Sequence, residues 1–137
     1  MNKVIVDTSI WSLALRRRAR DLSPLQRALA FHLRDLIIEG NAVLLGAIRQ
    51  EILTGITNTS IFERLAGHLR DFDDLAPDPE DYERAASFAN QCVRGGVAQT
   101  ATDMLLCAVA VGRDLPILTA DRDFERYAKH LPIQLFL

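Results

Sequence analysis

The stretch Val4-Ile5-Val6-Asp7-Thr8-Ser9 consists of three large apolar residues followed directly by three residues that favour the start of a helix. A short apolar run of this kind is typical of a buried strand, so it predicts a strand over residues 4–6. The change at Asp7 predicts a helix over residues 10–15. A strand that passes directly into a helix is typical of a parallel α/β sheet.

The rest of the chain repeats this alternation. Further strands are predicted over residues 42–45, 116–119 and 133–136. Ser23-Pro24 marks the start of a second helix, which Gly40 ends. The other helices are predicted from about 48 to 55, 60 to 72, 79 or 80 to 94, 102 to 111, and 121 or 122 to 129. Short apolar strands separated by helices predict a three-layer α/β/α fold with a central, mostly parallel sheet of four to five short strands.

Length and composition narrow the class of protein. With 137 residues, 49% hydrophobic and 25% charged, the chain is expected to form a single globular domain over residues 1–137. No apolar run approaches the roughly 20 residues of a membrane-spanning helix, so no membrane partner is expected. Cys92 and Cys107 lie apart in apolar, helix-like surroundings. Two core thiols predict a reduced, cytoplasmic protein.

The charged residues are segregated along the chain. The net charge of −2 argues against a dedicated nucleic-acid binder, yet every basic residue except Lys3 and Lys129 is an arginine. Arginine suits phosphate and carboxylate partners better than lysine does. Four arginines form one cluster, which is either a solvated turn or a contact for an RNA backbone or an acidic partner segment: Arg16, Arg17, Arg18 and Arg20.

Four acidic residues are predicted to meet at one edge of the sheet. Asp7 ends the first strand, and Asp121 lies two residues beyond the strand that closes at Thr119. Glu51 and Asp103 lie early in helices that follow a strand or a glycine-containing loop. Ligands of open parallel α/β sheets bind beyond the carboxyl ends of the strands, so this edge is the candidate site.

The helical positions of two of these acids predict burial. Glu51 shares a helix face with Ile48 and Ile52, and Asp103 lies in the most apolar helix of the chain. A buried carboxylate must be paired, protonated or bound to a metal ion. A cluster of oxygen ligands suits Mg²⁺ or Mn²⁺. Because grouped carboxylates repel one another, at least one is predicted to have a raised pKa without metal.

Three of the four acids also have a structural interpretation, and the case for one is weakest for Glu51. Asp7 and Asp121 are good helix caps, and Asp103 lies three residues after Thr100, the spacing of a capping box. Asp123 suits the first turn of a helix, where it favours the helix dipole. No single position decides between the two interpretations, and the functional one depends on the shared edge.

Four segments, in order, resemble the acidic motifs of the PIN domain family, in particular the VapC-type toxins of bacterial toxin–antitoxin pairs. These segments are Val4-Ile5-Val6-Asp7-Thr8-Ser9 with Trp11, Gln50-Glu51-Ile52-Leu53, Thr102-Asp103-Met104-Leu105-Leu106-Cys107-Ala108 and Leu118-Thr119-Ala120-Asp121-Arg122-Asp123-Phe124. The resemblance covers essentially the whole chain. It departs from many relatives at Gly46-Ala47, where a Ser or Pro commonly precedes the second motif.

The resemblance implies a ribonuclease that hydrolyses RNA with Mg²⁺, or alternatively Mn²⁺, and leaves a 5′-phosphate and a 3′-hydroxyl. It further implies a VapB-like antitoxin as partner and a homodimer. Thr8, Ser9 and Thr119 would be polar support, and Asp123 is an alternative to Asp121 as the fourth acid. The implied catalytic and metal-binding residues are Asp7, Glu51, Asp103 and Asp121.

The residues argue against three other functions. A haloacid-dehalogenase-like phosphatase needs a second aspartate two residues after Asp7, where Ser9 stands, and a lysine near the third motif, where none is present. A phosphorylated receiver domain needs paired acids before its central aspartate and a lysine near its end, and neither pattern is found. A PIN fold that binds RNA without cleaving it is disfavoured by the four intact acids.

Overall fold

Four short parallel strands form the central sheet in a computed structural model that describes residues 2–137. The strands are β1 (Val4–Val6), β2 (Ala42–Leu45), β3 (Asp74–Leu75) and β4 (Ile117–Leu118). They lie in the order β3-β2-β1-β4, with Ile5 opposite Val43 on one side and Ile117 on the other. β1 is therefore central, and all three of its residues are buried, as the opening apolar run predicts.

Seven α-helices flank this sheet within the described residues, which confirms the predicted three-layer α/β/α fold. Ser23 and Gln26 form a reciprocal capping box at the start of the second helix, so the sequence signal at Ser23-Pro24 has the structural effect expected of it. A 3₁₀ turn lies at Ala19–Asp21. The helices are α1 (Thr8–Leu15), α2 (Pro24–Ile38), α3 (Gly46–Leu53), α4 (Thr59–Leu69), α5 (Pro79–Arg94), α6 (Ala101–Gly112) and α7 (Asp123–Tyr127).

The structure differs from the sequence prediction at two edges of the sheet. β3 was not predicted, because it is two residues long and lies in the acidic part of the chain. The strand predicted over 133–136 is reduced to a single parallel bridge between Leu135 and Ile117. With β4 only two residues long, the segment finds partners at Ile117 alone: its N–H donates to Gln134 and its carbonyl accepts from Phe136.

Trp11 fixes α1 on the sheet. The indole N–H donates to the carbonyl of Val6 at 3.2 Å, and the ring meets Phe72 edge to face with centroids 5.1 Å apart. The side chain is 1% exposed. Because α1 begins directly after β1, this contact fixes the direction in which the helix leaves the carboxyl end of the strand.

Within residues 2–137, no helix combines the length and the apolar character required to cross a bilayer.

Arg49 fixes α3 to the far edge of the sheet. Its guanidinium donates to the Asp74 carboxylate at 2.8 Å, to the carbonyl of Leu69 at 2.9 Å and to that of Phe72 at 2.7 Å. One side chain thereby joins α3, the end of α4 and β3. Arg49 is close to Glu51 in the sequence, but its ion pair is with Asp74 and not with Glu51.

Replacing Arg49 with lysine should lower the free energy of unfolding by about 1–3 kcal/mol, because a single ammonium group cannot reach all three acceptors. Urea unfolding followed by circular dichroism measures this change. The matched control is Arg70→Lys, since Arg70 is exposed and contacts Glu63 at only 3.6 Å. An equal loss in both variants would contradict the role assigned to Arg49.

Candidate active site

Asp7 lies where β1 ends, and hydroxyl groups surround its carboxylate. Oδ2 accepts from the Ser9 hydroxyl at 2.7 Å, from the Thr119 hydroxyl at 2.9 Å and from the Ser9 backbone N–H at 3.4 Å. The last bond caps α1, so Asp7 is the helix cap that its structural interpretation predicts. The side chain is also buried, at 3% exposure, which a helix cap does not require.

Two hydroxyls connect Asp7 to the loop after β4. The Thr119 hydroxyl, which donates to Asp7, accepts the backbone N–H of Asp121 at 3.0 Å. The Ser9 hydroxyl likewise accepts the backbone N–H of Ala120 at 2.9 Å. The carboxyl ends of β1 and β4 are thereby held together, and the start of the 120s loop is fixed relative to Asp7.

Asp103 lies in the first turn of α6 with its carboxylate directed into the protein. Thr100 caps this helix by accepting the Asp103 backbone N–H at 3.1 Å, so the cap does not use the Asp103 side chain. Oδ2 of Asp103 instead accepts the Tyr127 hydroxyl at 2.7 Å. Asp103 is 9% exposed, which agrees with the predicted buried position.

The three buried carboxylates of the described chain differ in their partners. Asp81 contacts Arg113 at 2.8 Å and Arg84 at 3.2 Å. Burial by itself raises the pKa of Asp81, but hydrogen bonds and the two cations outweigh it and hold the pKa below its usual range. Asp7 and Asp103 have hydroxyl partners and, among residues 2–137, no ion pair.

Without a cation, burial dominates the ionisation of both residues. Burial raises the pKa of Asp7, and hydrogen bonds from Ser9 and Thr119 only partly oppose the rise. Burial also raises the pKa of Asp103 to about 6; the Tyr127 hydrogen bond lowers it, whereas the charges of Asp7, Asp121 and Glu51 raise it. The charges of the other three acids therefore act on Asp103, and its raised pKa agrees with the prediction for a group of carboxylates, although burial is the larger cause.

Glu51 corrects one expectation. It is exposed, whereas Ile48 and Ile52 on the same helix are buried, so the inward orientation predicted for Glu51 is wrong. Glu51 lies at the edge of the buried face of α3, and its side chain extends into solvent. Its carboxylate nevertheless accepts a short hydrogen bond from the Thr8 hydroxyl, which brings it to the first residue of α1.

Asp121 and Asp123 have different environments. Asp121 accepts the backbone N–H of Asp123 at 2.9 Å, and its side chain is in no ion pair with another described residue. Asp123 pairs with Arg126 one turn later and lies in the first turn of α7. Asp121 is one of the three acids whose charges, after burial, raise the pKa of Asp103. These differences favour Asp121 over Asp123 as the fourth acid.

The four acids have the oxygen ligands that a hard divalent cation prefers, although their side chains do not yet stand as a formed ligand set. Asp7, Glu51, Asp103 and Asp121 offer only oxygen ligands, and no ion pair within the described part of the chain neutralises them. Over the same residues no three carboxylate, imidazole or thiol groups already stand as a ligand set. Mg²⁺ keeps several water ligands and is commonly held through one or two carboxylates, so these residues fit it.

Two findings concern residues outside the four acids. The clustered arginines at 16–18 and 20 are exposed at the far end of α1, eight or more residues from Thr8, and do not enter the acid cluster. Tyr127, by contrast, was not among the predicted site residues. Its contact with Asp103 spans 24 positions, and no local pattern in the sequence indicates it.

The family model described as PIN domain matches residues 4–130. The chain belongs to the PIN domain family. PIN domains are typically nucleases and generally use divalent metal ions, which agrees with an acidic site at the sheet edge.

A solved structure shares this fold. The structure described as FitAcB from Neisseria gonorrhoeae matches with a TM-score of 0.72 and 18% identity, over 98% of this chain and 96% of that one. At this identity the match concerns the fold alone. No curated protein matches this PIN domain chain at a significant level.

The raised pKa of Asp103 predicts how the stability of the metal-free PIN domain depends on pH. The folded state holds this proton more tightly than the unfolded chain, so the contribution of Asp103 is full below pH 4 and is lost as pH rises through about 6. In EDTA, wild type should therefore lose roughly 2–3 kcal/mol relative to Asp103→Asn between these limits. Thermal unfolding at each pH measures the difference.

Tyr127→Phe provides the matched control for this titration. Removing the hydroxyl takes away a hydrogen bond that lowers the pKa of Asp103, so the midpoint of the pH dependence should move above that of wild type. A midpoint that stays fixed or moves down would show that another group produces the pH dependence.

Proposed function

We propose that this PIN domain is a metal-dependent ribonuclease whose working unit is the single domain of residues 1–137. The observation that carries the proposal is the buried carboxylate of Asp103, which has no cationic partner within residues 2–137 and whose pKa is raised by burial and by the charges of three further acids. Such a site is costly without a positive ligand. The acids also occupy the sheet edge at which open α/β folds bind ligands.

The chain's own residues divide the work in this proposal. Asp7 is the most rigid ligand, because Ser9 and Thr119 fix one of its oxygens. Asp103 from α6, Glu51 from α3 and Asp121 from the loop after β4 would supply the other ligands. Mg²⁺ or Mn²⁺, when bound there, lowers the pKa of a water and neutralises charge on the phosphoryl and leaving oxygens.

The proposed substrate is RNA, and the products would carry a 5′-phosphate and a 3′-hydroxyl. The resemblance of the four motifs to VapC-type toxins supports this choice. Cys107 lies one turn after Asp103, but it is buried, and burial together with the charges of Asp103 and Asp7 raises the pKa of its thiol, which makes it a poor nucleophile. The carboxylates are therefore the groups to test first.

Asp7→Asn and Asp103→Asn should each abolish Mg²⁺-dependent cleavage of RNA, a loss of at least about a hundredfold, because each removes one ligand charge. Both should keep the fold, since an amide can still accept the bonds from Ser9 or Tyr127. The measurement is the rate of cleavage of a single-stranded RNA in Mg²⁺ and in EDTA, with the 5′ ends of the products sequenced. Unchanged cleavage by either variant refutes the assignment.

The pair Asp121→Asn and Asp123→Asn identifies the fourth acid within the same assay. Asp123 is already paired with Arg126, so its variant should retain most of the activity, whereas the Asp121 variant should lose it. The reverse result would transfer the role to Asp123.

A domain that binds RNA and a divalent ion but never cleaves the RNA would instead support the alternative of a PIN fold that binds RNA without cleaving it.

The proposed partner is a small VapB-like antitoxin, and the proposed cellular form is a cytoplasmic homodimer. An acidic cleft of four carboxylates attracts a basic side chain, so a partner arginine inserted there would compete with the metal ion. This partner is supported by the resemblance of the motifs to toxins of such pairs.

Expression of the chain alone should arrest growth, and co-expression of the small reading frame next to its gene should relieve the arrest. The Asp7→Asn variant serves as the control, because an inactive nuclease should not arrest growth at the same level of protein. Persistent arrest in the presence of the small protein would show that the pairing is wrong.

A further inference from the structure

A cavity of about 310 Å³ lies at the far end of α1. Arg16 contributes one wall, residues 56–58 between α3 and α4 contribute another, and Ile61 and Arg64 of α4 close it. Among the residues that the structure describes, no Asp or Glu lines this cavity. In a chain with a net charge of −2, a cavity with two arginines and no acid is a local positive site.

The positive charge in this cavity is uncompensated. Neither Arg16 nor Arg64 is in an ion pair or donates a side-chain hydrogen bond to another residue between positions 2 and 137. The first turn of α4 adds to the positive potential, since Asn58 caps it through the Ile61 N–H and both residues line the cavity. Two guanidinium groups beside a helix start suit an anion with several oxygens.

The position of the cavity relative to the acids suggests which anion it takes. Thr8, Ser12 and Arg16 recur at four-residue intervals along α1, so they lie along one side of the helix. Thr8 contacts Glu51 at one end, and Arg16 lines the cavity at the other. Eight residues of helix span about 12 Å, a distance of no more than about four nucleotides at 3.4 Å each.

We propose that Arg16 and Arg64 hold a backbone phosphate of the RNA substrate a few nucleotides from the scissile bond. The inference rests on the proposed ribonuclease function and names the part of the chain that binds the substrate. Four carboxylates repel a polyanion, so a nearby cationic site is required to hold the strand against the acidic cleft. Of the four clustered arginines, Arg16 alone takes part in this cavity.

RNA fits this site better than an acidic peptide does. A peptide carboxylate has no reason to lie at a fixed distance from the acid cluster, whereas the phosphates of one strand follow each other at regular steps. The length of α1 between Thr8, beside the acids, and Arg16, in the cavity, fixes the distance between the two sites at about 12 Å. An acidic peptide therefore serves as the competing ligand in the experiment.

The experiment measures binding instead of cleavage. In EDTA, the affinity of wild type, Arg16→Gln and Arg64→Gln for a labelled single-stranded RNA is followed by fluorescence anisotropy over about 50 to 200 mM salt. Each variant should bind about three- to tenfold more weakly at low salt and should lower the salt slope by about 0.7. Thermal midpoints equal to that of wild type exclude misfolding.

Arg34→Gln is the charge-matched control. Arg34 lies near the end of α2 that leads to the amino end of β2, away from the acids, and its guanidinium contacts the Phe31 ring. This variant should keep wild-type affinity within about twofold, the range expected when no phosphate contact is lost.

Each contrary outcome has a definite reading. Equal weakening of RNA binding in Arg16→Gln, Arg64→Gln and Arg34→Gln would show a general charge effect and overturn the site. If Arg16→Gln and Arg64→Gln bind polyglutamate more weakly than wild type but bind RNA equally well, the cavity binds an acidic peptide and the proposed phosphate site is wrong. If Arg16→Gln and Arg64→Gln keep wild-type affinity for RNA and wild type cleaves RNA, this phosphate site is wrong and the nuclease proposal stands. If Arg64→Gln loses affinity but wild type does not cleave RNA, the nuclease proposal is wrong and the phosphate site is supported.

Discussion

The burial of Asp7 and Asp103 without a cation is the constraint on which the site depends. The protein can neutralise a buried carboxylate, as Arg113 does for Asp81. At the sheet edge it supplies hydroxyls from Ser9, Thr119 and Tyr127 instead, which orient the carboxylates and leave their charge uncompensated. This arrangement costs stability in the folded protein and keeps the acids available for a positively charged ligand.

The sequence predicted those features that depend on neighbouring residues. The apolar run before Asp7 identified the central strand, and Ser23-Pro24 identified the start of α2, because both signals act within one turn or one strand. Asp103 was correctly placed inside the protein, since almost every other residue of α6 is apolar. The family and the α/β/α architecture follow from such local patterns taken in order.

What the sequence missed depends on contacts between distant segments. β3 forms because Leu44 and Leu45 of β2 offer a free edge, and no property of the two residues Asp74 and Leu75 by themselves indicates a strand. The exposure of Glu51 likewise depends on where α3 lies against its neighbours. The bond from Tyr127 to Asp103 and the meeting of Arg16 with Arg64 belong to the same class, because each requires the folded chain.

The position of Trp11 has a practical consequence. It is the one tryptophan of the sequence, it lies four residues after Asp7, and its indole is sealed between the Val6 carbonyl and the Phe72 ring. Its emission is therefore an intrinsic optical probe of the first turn of α1. Rearrangement at the head of that helix when ions or nucleic acid bind can be followed in the unmodified protein, without an attached dye.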